Sequence, residues 1–192
     1  MAGLGDTPIL LCEDQRAWER WLAGHFADDN GVWLQLAKKD TGVSSVSYDE
    51  ALDVALCYGW IDGQKQRMDD QYSLQKFTPR RARSMWSQRN VAKVATLTKA
   101  GKMRPSGLAA VEEAKQNGRW DTAYGSSSNL EIPPELQAAL DTSPKAQAFF
   151  DALNKTNKYA FCWRVHTAIK PETKQARVEK FIGMLEREEK LY

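Results

Sequence analysis

Residues Tyr58 to Arg80 read YGWIDGQKQRMDDQYSLQKFTPR, and they decide the fold class. Gly59 follows the helical spacing of Tyr48, Leu52, Ala55 and Leu56 and can take the left-handed conformation that stops a helix. Trp60-Ile61-Asp62-Gly63 is then a tight exit, and the polar stretch from Gly63 to Phe77 reads as a ragged hairpin. Pro79, with Arg80, Arg81 and Arg83, breaks it.

Upstream, Ser47 and Glu50 make a capping box that starts the helix ending at Gly59. Val32 to Ala37 is a short apolar run between Gly31 and Lys38-Lys39, too brief for a typical helix and rich in strand formers. Glu13 to Ala27 is an amphipathic helix with Ala17, Trp18, Trp21, Leu22 and His25 on one side. Downstream, Ser84 can cap a helix with Val91, Val94, Ala95 and Leu97 inward and Gly101 as its stop. Pro105 opens another, with Leu108 and Val111 inward, closed by Gly118. Prolines 134, 144 and 171 open further helical patterns, and Tyr159 to Ile169 is apolar and helical as well. The small, polar stretch GSSSNLEIPP before them is the one linker-like segment.

These elements predict an α+β protein: a small antiparallel sheet from residues 31–39 and 60–78, covered by helices, with a helical C-terminal part packed on it. The expected organisation is an α+β core over 1–125, a linker over 126–134 and a helical module over 135–192.

Composition narrows the function. At 192 residues the chain suits one ordinary domain with a helical appendix, and 42% hydrophobic with 27% charged residues is not a disordered composition. A net charge of +2 argues against nucleic acid as the main partner. Cys12, Cys57 and Cys162 are an odd number and widely spaced, which fits a reducing compartment better than a disulfide framework. No apolar run reaches the length of a membrane span, and the opening MAGLGDTPIL lacks a secretory pattern, so a cytoplasmic protein is expected. His25 and His166 have no carboxylate or cysteine at ligand spacing, so no metal and no cofactor are expected. Ser84 and Ser87 lack the GxSxG context of a nucleophile.

The densest set of unusual residues runs from Tyr58 to Asn90. Arg80, Arg81 and Arg83 before a helix start would add cationic forks to unpaired backbone N–H groups, a place that attracts an anion. Trp60 and Trp86 could wall the ligand, with Ser84, Ser87 and Asn90 beside them, and Asp62 could orient a hydroxyl or act as general base. The site so defined is Trp60, Asp62, Arg80, Arg81, Ser84, Trp86, Ser87 and Asn90, taking a small phosphate- or carboxylate-bearing ligand. A competing reading makes the arginines a solvated connection, Asp62 a structural partner of Arg80, and the tryptophans core. An enzyme using Asp62, or an adaptor working through the C-terminal helices, are the rival functions. Lys170, Lys174, Arg177 and Lys180 on the last helix read as a solvated face, or as a docking surface for an acidic partner or a phosphate backbone.

The blocks Trp18-x-x-Trp21-Leu22, Gly31-Val32-Trp33-Leu34, Gly59-Trp60-Ile61-Asp62-Gly63, Phe77-Thr78-Pro79-Arg80 and Ser84-x-Trp86-Ser87-x-x-Asn90 resemble the bacterial YdeI or OmpD-associated family, also called bacteriocin-protection proteins. Gly118-Arg119-Trp120, Phe149-Phe150-x-x-Leu153, Trp163, Ala168, Glu172-Thr173 and Arg177-Val178 continue the resemblance through its C-terminal module. Lys174 departs from it, standing where arginine is expected. The resemblance implies a small cytoplasmic α+β protein with a role in stress or bacteriocin tolerance.

Overall fold

The computed structural model describes residues 6–126 and 131–192, which form eight helices and four strands and divide into two compact units. Of the described residues, the first comprises 6–84 and 92–116, the second 85–91, 117–126 and 131–192. Residues 127–130 of the expected linker lie outside the described part.

The first unit is built on a sheet of β1 (Ile9–Leu11), β2 (Val32–Ala37), β3 (Trp60–Arg67) and β4 (Tyr72–Pro79), in the order β1-β2-β4-β3. β3 and β4 are the expected hairpin, ragged because the register shifts between Asp62 and Lys65. β2 pairs antiparallel with β4, Val32 opposite Phe77. The sheet is mixed rather than antiparallel, because β1 lies parallel to β2 with Ile9 opposite Trp33. A three-residue strand is legible only through the partner it pairs with.

Helix α1 (Gln15–His25) starts where the Asp14 side chain accepts a hydrogen bond from the Ala17 amide at 2.7 Å. It buries Trp18 and Leu22, but His25 is exposed: its Nδ1 lies 2.7 Å from the Trp21 carbonyl and its ring stacks on Trp21. Helix α2 (Tyr48–Cys57) has the expected capping box, and Gly59 leaves it at φ +81°. Trp18, Trp60, Phe77, Leu22, Leu52 and Leu56 are fully buried. Their two indole N–H groups are satisfied by backbone carbonyls, Trp18 at Ala51 and Trp60 at Phe26.

Two register expectations need correcting. Helix α3 (Gln88–Lys99) begins a turn later than Ser84, and Ala95 on it is exposed while Val94 and Leu97 are buried. On α4 (Pro105–Gln116) Leu108 is 47% exposed, and Gly107, Val111 and Ala114 face inward.

In the second unit α5 (Pro134–Asp141), α6 (Pro144–Ala152), α7 (Lys155–His166) and α8 (Pro171–Glu186) enclose Leu136, Leu140, Phe150, Phe161, Phe181 and Leu185. Prolines open α5, α6 and α8, where the missing N–H has no intrahelical partner to lose. Asn154 caps α7 by accepting from the Asn157 amide at 2.9 Å. Residues 85–91 and 117–126 join these helices: the Tyr124 amide donates to the Trp86 carbonyl, the Gln88 amide to the Tyr124 carbonyl, and the Trp86 and Trp120 rings meet edge to face at 4.9 Å. Among the described residues no helix is long and apolar enough to cross a membrane.

Candidate functional site

The residues expected to form the site fall into both units: Trp60, Asp62, Arg80, Arg81 and Ser84 in the first, Trp86, Ser87 and Asn90 in the second. Trp60 is completely buried beside Trp18 and Trp21, so its ring faces protein on every side. Trp86 is likewise buried, against Trp120. Asp62, half-buried on β3, accepts a hydrogen bond from the Tyr48 hydroxyl at 2.8 Å. The Arg80 amide donates to the Gly59 carbonyl, which ties the end of β4 to the start of β3.

Ser84 closes a turn rather than a helix start: its Oγ accepts from the Arg81 amide at 2.9 Å, and its amide donates to the Arg81 carbonyl. Ser87 takes the capping role, accepting from the Asn90 amide at 3.2 Å. The arginines therefore belong to a turn and do not directly precede the N-terminal turn of α3.

A denser cationic group lies on α7 and α8 of the second unit. Arg164, Arg177 and Lys180 line a groove of about 470 Å3 together with Trp163, Thr167 and Phe181. Helical spacing explains the set: Thr167, the C-cap residue of α7, is one turn beyond Trp163, and Arg177 and Lys180 are one turn apart on α8. Arg177 donates to the carbonyl of Arg164, which ties α8 to the last turn of α7. Arg164 donates to the Ala160 carbonyl and to the Tyr192 hydroxyl, with the Tyr192 ring 5.3 Å from its guanidinium. Among the described residues no carboxylate side chain lines this groove, whereas Lys174 on the same helix is neutralised by Glu135 at 2.8 Å. Charged forks above an aromatic wall can hold a phosphate or carboxylate with an apolar body.

Two further cavities differ in character. One in the first unit, about 300 Å3, contains the Arg104 to Glu19 ion pair at 2.7 Å, and its Asp53 is paired with Lys93 at 2.6 Å. Its Cys57 thiol is pushed up to about 11 by burial. The other, about 100 Å3 in the second unit, is bordered by Tyr124, Tyr159, Trp163, His166 and Glu131. His25 and His166 lie in different units, and no cluster of three or more metal-ligating side chains occurs among the described residues.

The charges of α8 were legible as a stripe, but not which of them meet Arg164 on α7. Only the fold puts them together.

Fold and site define an α+β protein whose helical second unit carries the cationic groove. Residues 10–110, more than half of the chain, match the family model of a domain of unknown function (DUF8412), and residues 129–188 match the model described as "Bacteriocin-protection, YdeI or OmpD-Associated". The chain belongs to the first of these families and carries the YdeI or OmpD-associated module at its C-terminal part. The GWIDG and FTPR blocks fall in the first match, and the Trp163 to Lys180 groove in the second. No curated protein and no solved structure matches the chain.

Proposed function

We propose that the protein binds a small anionic ligand, phosphate- or carboxylate-bearing with an apolar body, in the groove between α7 and α8. One observation carries this reading: Arg164, Arg177 and Lys180 line the groove together, and no carboxylate side chain is among the described residues that line it. Three cations with no carboxylate among the described lining residues repel one another, and a bound anion relieves that cost. The proposal moves the anion site away from Trp60 and Arg80, because the buried Trp60 ring offers no face to a ligand. The family description supports a setting in bacteriocin protection, and the cytoplasm is the location that goes with this reading.

The test is a thermal-shift screen with phosphorylated metabolites, nucleotides and small carboxylates, followed by calorimetry on Lys180→Gln, Arg164→Gln and Arg80→Ala. Removing one charge-assisted contact should weaken binding about tenfold or more in the first two variants, and Arg80→Ala should leave it unchanged. A hit lost only in Arg80→Ala would return the site to the FTPR turn. If no anion raises the melting temperature, the adaptor reading of the C-terminal helices takes its place.

A further inference from the structure

We infer that the cavity of about 100 Å3 bordered by Tyr124, Tyr159, Trp163 and Glu131 is an aromatic cage for a small quaternary ammonium compound of the choline type. The rings of Tyr124 and Trp163 stand at 77° with centroids 6.0 Å apart. A cation seated in such a corner lies within about 6 Å of both centroids, the range in which the electron-rich faces attract it. The third ring is fixed in place, since the Tyr159 hydroxyl donates to the Gly125 carbonyl at 3.1 Å.

The other lining groups fit a cation and disfavour an anion. Glu131 is the one carboxylate side chain among the described residues lining the cavity, and it is exposed, so it adds negative charge without a large desolvation cost. Burial pushes the Cys162 thiol up to about 11 and raises the Tyr159 hydroxyl as well, so both stay neutral. The Nε2 of His166 lies 3.3 Å from the Ala123 carbonyl, which ties that edge of the ring to the backbone. Size limits the ligand further. A space of about 100 Å3 suits a small head group such as trimethylammonium.

This inference does not depend on the cationic groove. Trp163 lines both cavities, so the variants are chosen to avoid it. The experiment is titration calorimetry of the full chain with choline, with glycine betaine and with dimethylbutanol, the neutral carbon isostere of choline. Choline should bind about tenfold more tightly than the isostere, because only the cation gains from ring faces and carboxylate. Glycine betaine should bind more weakly than choline, its own carboxylate being repelled by Glu131. Glu131→Gln, at an exposed position that leaves folding intact, should weaken choline and erase its advantage over betaine. Tyr124→Leu should abolish binding, and Lys180→Gln should leave it unchanged. Equal affinity for choline and its neutral isostere would overturn the cage, as would the absence of saturable choline binding by the folded protein.

Discussion

Gly107 stands where α4 comes against the end of α2. A Cβ there would fall on the Cys57 carbonyl oxygen and lie 2.9 Å from the Leu56 carbonyl oxygen, both rigid backbone atoms. Gly107→Ala should therefore destabilise the protein by about 1–3 kcal/mol, the usual cost of forcing atoms into a packed site. Gly24 in α1 has nothing within 4 Å of the corresponding position and no positive φ, so Gly24→Ala should instead stabilise by a few tenths to about 1 kcal/mol. Urea unfolding of both variants checks the pair, and a destabilised Gly24→Ala would show that space at the Cβ does not set the sign. The same glycine explains a misread helix face. Residue size points to Leu108 and Val111 as the inward side of α4, but close helix approach favours the smallest residue, which turns Leu108 outward.

At the scale of elements, the start of α2 follows directly from Ser47 and Glu50. The Glu50 carboxylate accepts from the Ser47 hydroxyl at 2.7 Å and from the Ser47 amide at 2.9 Å, which together hold it below the ordinary carboxylate range. A carboxyl lowered in the folded state contributes stability that is full above its unfolded pKa and is lost as pH falls through the folded value. Ser47→Ala should cost about 1 kcal/mol at neutral pH, from loss of the cap, and less at acid pH, where Glu50 is protonated in both proteins. Melting temperatures of the two proteins between neutral and acid pH should converge; a constant gap would mean that the Glu50 carboxylate takes no part. Caps, proline starts and glycine stops were legible because each is settled within four or five residues. Ser84 and Ser87 show the limit of such signals: both look like caps, and the turn from Arg81 to Ser84 decides between them. β1 was invisible for the opposite reason, since three residues carry no pattern without β2 alongside.

For the whole molecule, the anion site expected from the sequence draws its residues from two separate units, whereas the groove and the cage each lie within one. Local patterns located charges and aromatics, but helix-to-helix placement selected Arg164, Arg177 and Lys180 from among them. The two units also have separate cores: Trp18, Trp60 and Phe77 in one, Phe150, Phe161 and Phe181 in the other. The three cysteines report on both, with Cys12 and Cys57 in the first unit and Cys162 in the second. All three are buried, and burial pushes each thiol up to about 11. At pH 8 only about one thiol in a thousand would be ionised, so the folded protein should resist thiol reagents and label only through opening. Labelling followed by mass spectrometry across graded urea should give Cys12 and Cys57 one shared opening free energy and Cys162 a different one, because each core opens as its own cooperative block. A single value for all three cysteines would mean that the two units unfold together.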